Sequence, residues 1–482
     1  MGLICVSETQ KGETIMADET TAVSGQENVV RDYGIDEYVP MEARYYGVKE
    51  MTSTWICANA NPTTWYMGTI LGALGLGGAL LSAIIGNPLV YLILALVGII
   101  GYKVASTNMG LCRVSFGIQG SKLPSFINAL QFVGWCGVNT YIAASPLSNL
   151  ICSIIGGDPH APGIMIISVL IIMFVTTLVA VYGAKYIGKA QIIAVVCLAI
   201  LSVWIAIRIF SLVSFKDIWA WRLNSNPANS GWSLSFGGGL DIILANGFAW
   251  VMCAADYTRY TTSKKSATLA PMAGATLGFL WFVLIGATGA IAVAVMNGGL
   301  FDPYSADLSY ICGSLGMGSI ANLLIVISTI AVNMINVYSG GFSTANISEK
   351  LPPKGSMIGL GILSALLALT PLVLGSFLDT FQVFLGYLGA VFPPCIAVMV
   401  VDYYLIRHQN YDITRFNDRN GPYWYKNGIH WSGVIAWLAG AGAYFLGTGI
   451  AGVSNSIGAV LFSFLVTSVL YYVLGKATVK NA

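Results

Sequence analysis

Gln131, Trp135 and Asn139 follow one another at intervals of four in an otherwise apolar stretch. That interval puts all three on one face of a helix. An indole flanked by two carboxamides suits a flat heteroaromatic ligand: the ring stacks on the indole, and the amides offer donors and acceptors to its edge. The same trio also fits a Trp packed between helices, with its amides bonding across them. A second polar run, Ser328-Thr329-Ile-Ala-Val-Asn333-Met-Ile-Asn336, lies far along the chain. Asn333 and Asn336 are three apart and face similarly, with the hydroxyls of Ser328 and Thr329 about one turn earlier. Hydroxyl oxygens suit a hard cation such as sodium, or bond back to their own helix.

Two further apolar stretches carry residues that interrupt helices. Cys57-Ala-Asn59-Ala60-Asn61-Pro62 places two amides and a proline where a plain spanning helix would have neither. Pro62 removes a backbone donor and crowds the carbonyl four residues back. Carbonyls freed near Cys57, Ala58 and Ala60 then need protein, water or a bound ion as partner. The second stretch, Asp241-Ile-Ile-Leu-Ala-Asn246-Gly247-Phe248-Ala-Trp250, sets Asn-Gly near a midpoint. Asp241 is the acid nearest this site, toward one end of its span, and a candidate proton carrier.

These residues need elements to hold them. The chain of 482 residues is 56% hydrophobic and 9% charged, with a mean hydropathy of +0.74. A soluble domain carries roughly a quarter charged residues, so a polytopic helical membrane protein remains, and disorder, a coiled coil or a secreted disulfide scaffold is excluded. The nine cysteines are scattered and form no CxxC pair, and His160, His408 and His430 fall in or beside loops, so no metal or haem centre assembles from them. No nucleotide-binding loop of the GxxxxGK[ST] kind occurs, which disfavours an ATP-driven pump.

A helix needs about 20 apolar residues to cross a bilayer. Such runs number twelve: about 52–79, 82–106, 123–153, 164–184, 190–214, 237–256, 271–297, 317–346, 356–376, 379–406, 431–450 and 456–475. Residues 1–50 hold ten acids and four Lys/Arg and no long apolar run, and form an acidic, flexible tail whose end, from Val39 to Arg44, lies along the membrane surface. Residues 51–407 then form a ten-helix core, and 408–482 the last two helices and a short C-terminus. With the N-terminus inside, 16 Lys/Arg beyond the tail fall on inner segments and three (Arg208, Lys216 and Arg222) on outer ones. The positive-inside rule therefore puts both termini in the cytoplasm, at the cell membrane. The interruptions fall in the first and sixth spans, which are the first of each half if the core is two five-helix repeats. Interrupted segments at matching positions point to a transporter's binding site.

Several stretches together resemble the nucleobase:cation symporter-1 family, and the cytosine permeases within it. They are Arg113-Val-Ser-Phe-Gly-Ile-Gln-Gly-Ser-Lys-Leu-Pro-Ser125, Gln131 to Gly137, Ala255-Asp-Tyr-Thr-Arg-Tyr260, Thr344-Ala-Asn-Ile347, Phe392-Pro-Pro394 and Val401-Asp-Tyr-Tyr404. The resemblance implies a leucine-transporter-type fold of two inverted five-helix repeats plus two peripheral helices. It also implies a site between the first, third, sixth and eighth spans. Trp135 matches the stacking Trp, Asn139 or Gln131 the neighbouring amide, Phe248 (with Trp250 as rival) the sixth-span aromatic, and Asn333 or Asn336 the eighth-span amide. Asn246 and Gly247 flank the sixth-span break. Carbonyls of Cys57 and Ala60 with Ser328 and Thr329 form a candidate sodium site. The family's hydroxyl positions, counted back from Ala345-Asn-Ile347, fall on Ala331-Val332, which leaves sodium and proton coupling both open.

The expected function is a secondary transporter that imports a nucleobase, cytosine first and purines next, together with a cation, as a monomer without cofactor or nucleic acid. Allantoin or hydantoin import is the near alternative. An amino-acid symporter of the same fold would want bare helix N-termini for a carboxylate, whereas amides and aromatics occur here. An enzyme would need clustered ionisable residues in the spans, and a channel a repeated pore motif; neither is present.

Overall fold

The computed structural model describes residues 37–182, 184–301, 307–345, 347, 352–419 and 421–479. The acidic tail expected at 1–50 therefore lies largely outside the described residues. In a bilayer the backbone must satisfy its own hydrogen bonds, and a chain this apolar does so as helices. Among the described residues every regular element is helical, and no strand occurs.

The first span is two half-helices, α1 (Val48–Asn59) and α2 (Pro62–Leu71). A single 3-10 turn joins α2 to α3 (Gly75–Val104). A short helix α4 (Asn108–Phe116) leads into the long α5 (Lys122–Ile155), followed by α6 (Pro162–Tyr182), α7 (Ala184–Leu212) and the short α8 (Phe215–Ala220). The sixth span divides into α9 (Phe236–Val251) and α10 (Ala254–Thr258). Then come α11 (Lys264–Ala267), α12 (Leu269–Met296), α13 (Leu308–Ser314) and α14 (Gly318–Ala345). The chain closes with α15 (Pro353–Ala368), α16 (Thr370–Leu374), α17 (Phe377–Val401), α18 (Trp431–Gly449), α19 (Ala451–Ser454) and α20 (Ala459–Thr478). This order is consistent with twelve passes. Among the described residues eight runs are long and apolar enough to cross a membrane unaided, the first comprising α2 and α3 together.

Hydrogen bonds sort the connections onto two faces. The segment before α1 bonds to the end of α3 through Val39 N–H to Ala105 O, and to the junction after α10 through Tyr45 and Tyr46 N–H to Tyr260 O. His430, before α18, reaches Thr478 at the end of α20. These connections share one face, here the terminal face. On the distal face Asn226 and Asn229, before α9, bond to Gly298 and Gly299 beyond α12. The stretch from Val39 to Arg44, expected along the membrane surface, is anchored to the helices at both of its ends. Val39 is fully buried, and the Arg44 guanidinium donates to the carbonyls of Val39 and Tyr102.

The break in the first span is held by one asparagine. Asn61 caps α2 by accepting from Thr64 N–H at 2.9 Å, and its amide donates back to the Ala58 carbonyl at 2.8 Å. One side chain thus satisfies an orphan donor of one half-helix and an orphan acceptor of the other. Beyond the break α2 packs closely on α12, where a Cβ added at Gly68 or Gly286 would collide with the carbonyls of Val283 and Trp65.

The sixth span does not break at Asn246-Gly247, as its sequence suggested. α9 runs on to Val251, and the interruption falls at Met252-Cys253. Gly247 is helical, and a Cβ there would run into the Val90 side chain of α3. Its glycine serves close helix packing, the commoner use in membrane bundles. The true break is clasped by α4: the Asn108 amide donates to Val251 O at 3.0 Å and accepts from Ala255 N–H at 2.6 Å. Asp256 in turn accepts from Asn108 N–H.

Candidate functional site

A cavity of about 410 Å³ lies where the two broken spans meet α5 and α14. Asn61 and Thr63 line it from the first break, and Gln131, Phe132, Trp135 and Asn139 from α5. Asn246, Ala249, Trp250 and Cys253 line it from the sixth span, and Val332 and Asn336 from α14. No carboxylate, lysine, arginine or histidine is among these residues.

The α5 trio faces inward together because of its four-residue spacing. Trp135 is half-buried, its ring set edge-on against Phe384 of α17 at 5.1 Å and 84°. Its remaining surface borders the cavity. Gln131 is buried, and its amide donates to Asn128 at 2.5 Å, while its carbonyl oxygen has no partner among the described residues. Asn246 presents the converse, a buried amide nitrogen without a partner. The cavity therefore offers one free acceptor from α5 and one free donor from α9.

Asn139 is already engaged at both ends. Its oxygen accepts from the Thr63 hydroxyl, and its nitrogen donates to the Asn333 oxygen at 2.9 Å. Asn333 continues the chain to the Thr140 hydroxyl at 3.0 Å and the Cys136 carbonyl at 3.2 Å. Three spans are joined by this buried network. It sets Asn333 behind Asn139, away from the residues that line the cavity, whereas Asn336 lies on the cavity wall. The Asn pair of α14 thus divides, one amide fastening helices and the other facing the ligand space.

Phe248 and Gly247 are not on the cavity, contrary to expectation. Phe248 is 2% exposed and packs on Phe464 of α20 at 5.3 Å, while Gly247 abuts α3. The reason is helical phase. Asn246, Ala249, Trp250 and Cys253 recur at intervals of three and four and share a face, and Phe248 points to the opposite side. Trp250 is the sixth-span aromatic that lines the cavity, and it sits edge-on to Trp55 at 6.1 Å. This phase argument was available from the sequence, as was Cys253, one turn beyond Ala249. Asn61 and Thr63 carried a weaker signal, since their role depends on how the break is capped.

Of the four candidate cation ligands, the carbonyls of Cys57 and Ala60 accept no hydrogen bond among the described residues, in keeping with the break. Thr329 is buried with an unpartnered hydroxyl, and by spacing shares a face with Val332 and Asn336. Ser328 is turned elsewhere: its hydroxyl donates to Leu324 O at 2.7 Å, 3.5 Å from Ala194 O of α7. The two hydroxyls expected to act as a pair therefore point to different neighbours. Asp241 is not a free acid beside the site. Its two oxygens accept from Ala459 and Val460 N–H at 2.9 and 2.8 Å, capping α20.

Residues 38–475 match the family model described as permease for cytosine/purines, uracil, thiamine, allantoin. The chain belongs to this family. It is 25% identical to the cytosine permease of Escherichia coli K12, with 90% of this chain and 93% of that one covered. It is 24% identical to the allantoin permease of Bacillus subtilis, with 91% and 92% covered. Among solved structures it resembles Mhp1, a nucleobase-cation-symport-1 family transporter. The TM-score is 0.72 for a closed conformation with bromovinylhydantoin bound, covering 93% of this chain and 97% of that one. It is 0.74 for the inward-facing conformation, covering 89% and 90%. Sequence identity is 17% in both, so the likeness speaks to fold. The permease is thus a multi-pass membrane transporter with the leucine-transporter-type fold, and not an enzyme.

Proposed function

We propose that this permease imports a nucleobase, cytosine foremost, across the cell membrane by cation symport, with both termini in the cytoplasm. The carrying observation is the pairing of a free acceptor, Gln131 Oε1, with a free donor, Asn246 Nδ2, in a cavity bordered by Trp135 and Trp250. A flat ring whose edge carries an N–H beside a carbonyl or ring nitrogen answers both groups. Cytosine has that edge, and the cytosine permease relative supports the choice. Burying an unpaired polar group is costly, so such a site rejects rings lacking the matching edge. Uptake of labelled cytosine, challenged with cytosine, adenine, guanine, hypoxanthine, uracil, allantoin and a hydantoin in excess, tests this. Competition by allantoin or the hydantoin alone would transfer the assignment to the second reading, an importer of those rings, which the allantoin permease relative favours.

For the coupling ion we infer sodium, held by the Cys57 and Ala60 carbonyls and the Thr329 hydroxyl. Supporting this are their unsatisfied oxygens at the break and on the cavity-facing side of α14. Uptake should then require external sodium, and Thr329→Ala should raise the sodium requirement with little change in base affinity at saturating sodium. The outward turn of Ser328 favours protons instead, because a cation stripped of water needs enough oxygens. Uptake that ignores sodium and collapses with a protonophore would establish that alternative.

A further inference from the structure

On the distal face the short helix α13 lies beside the two elements that carry most of the site, and polar side chains clasp it to both. Asp307, immediately before α13, accepts from the Ser145 hydroxyl of α5 at 2.9 Å. Ser145 is six residues beyond Asn139, roughly 9 Å along the helix axis. Ser309 of α13 donates to Asn322 of α14 at 2.9 Å and accepts from Asn149 of α5 at 3.0 Å. All three partners within the bundle, Ser145, Asn149 and Asn322, are thus engaged with one seven-residue helix. Beside the clasp, Tyr141 of α5 stacks on Phe377 of α17 at 4.5 Å, and Phe377 and Phe381 both pack on Tyr66 of α2. These two sets of contacts, one polar and one aromatic, tie α13, α14, α17 and α2 to α5 on the distal side.

We propose that α13 is a lid whose closure is linked to a proton at Asp307, through the clasp to Ser145, Asn149 and Asn322. The hydrogen bonding accommodates either state of the acid. The Ser145 hydroxyl donates to a carboxylate and accepts from a protonated carboxyl, and Tyr310 N–H stays on the other oxygen at 2.5 Å. Burial pushes the Asp307 carboxyl above its ordinary range, against the lowering effects of Tyr310 N–H, Ser145 and His160. The titratable groups facing it are Tyr141 of α5, His160 between α5 and α6, and Cys312 on α13 itself. Arg208 of α7 sits at the far end of the lid, on the Leu315 carbonyl at 2.8 Å. In an open lid the acid returns to water and to its ordinary range. The closed state therefore binds the proton more tightly, and acid on the distal side favours closure. A cationic His160 opposes this partway.

Cys253 lines the cavity and gives a native reporter. In full-length permease with the other cysteines replaced, after uptake is confirmed, its labelling by a membrane-impermeant maleimide from the distal side is timed. The parent is compared with Asp307→Asn at each pH, so that thiol chemistry cancels in the ratio. Lowering the pH from about 7.5 to about 5.5 should slow the parent relative to the variant, by up to roughly tenfold for each unit by which closure raises the acid's pKa. Ser145→Ala and Ser309→Ala should label faster than the parent at neutral pH, and Asp307→Glu should restore the pH response. Equal pH courses for parent and Asp307→Asn, or unchanged labelling in both serine variants, would overturn the proposal. Neither readout depends on which ring or cation is carried.

Discussion

Replacing Asn139 with alanine removes a side chain whose two ends are both occupied within the protein. It leaves the Asn333 oxygen and the Thr63 hydroxyl without their partner in buried surroundings. A stranded buried polar group costs about 1–3 kcal/mol, so two put the loss at about 2–6 kcal/mol. Gln131→Ala strands only Asn128, because the Gln131 oxygen is unpartnered already. Asn139→Ala should therefore lower the thermal unfolding temperature of the detergent-purified permease much more than Gln131→Ala, whereas Gln131→Ala should weaken base binding at little stability cost. The paired change Asn139→Leu with Asn333→Leu supplies the decisive comparison. It deletes both partners of the central bond, and Thr140 and Cys136 retain other bonds, Thr140 through Met173 and Cys136 within its helix. The double variant should be more stable than the sum of the single leucine variants predicts, by about 1–3 kcal/mol. Strict additivity of the two single losses would refute the view that this network fastens α2, α5 and α14 together.

Three further outcomes are expected. Trp135→Ala should weaken base binding by about 1–3 kcal/mol, roughly five- to 150-fold, as loss of an aromatic stacking face does elsewhere, with Trp135→Phe retaining part of it; tryptophan-quenching titrations read this directly. Trp250→Ala should impair uptake at saturating substrate far more than Phe248→Leu, because only the former borders the cavity; equal loss in transport assays would return Phe248 to the site. Burial holds the His430 imidazole below its ordinary range, with Arg407 acting in the same direction against the Ser115 and Asp402 contacts. The unfolded chain then takes up the proton first as pH falls below about 6.5, so this contribution is full above that pH and is lost below it. His430→Phe keeps a ring against Tyr425, where the parent stacks at 4.1 Å, and unfolding scans between neutral and mildly acid pH should show a shallower decline than the parent.

The architecture was readable because membrane burial leaves few alternatives. Apolar runs of spanning length, Pro62 within one of them and the Lys/Arg asymmetry constrain the chain before any contact is known. The α5 face was readable for the same reason, since a four-residue spacing has one meaning on a helix. What escaped was information held between helices. Asn333 and Asn336 look equivalent along the sequence, yet Cys136 and Thr140 of α5 claim one of them. Gly247 looked like a hinge because the proximity of Val90 is a property of α3 packing on α9. Asp241 looked like a free acid because the N-terminus it caps begins more than 200 residues later, at Ala459. Ser328 and Thr329 looked like a pair, and adjacent helical residues point about 100° apart.

An uncharged cavity has a consequence for energetics. The lining amides, indoles and hydroxyl would accommodate a neutral ring without burying an unpaired charge, which would be expensive in this setting. The ring itself then feels almost no force from the membrane potential. Under the proposed function, uphill import would draw on the cation moved with the ring, because one elementary charge crossing the potential is worth about 2.3 kcal/mol per 100 mV. Binding of ring and cation must therefore be linked through the protein. The first-span break is suited to that linkage: Asn61 and Thr63 line the ring's cavity, while the Cys57 and Ala60 carbonyls on the same break are left without partners. A cation settling on those carbonyls would stiffen the junction that positions Thr63 against Asn139 and, through Asn333, holds α14. Under this arrangement the order in α5 and α14 that the ring requires is favoured by the ion before the ring arrives, which is how two ligands with no direct contact come to bind cooperatively.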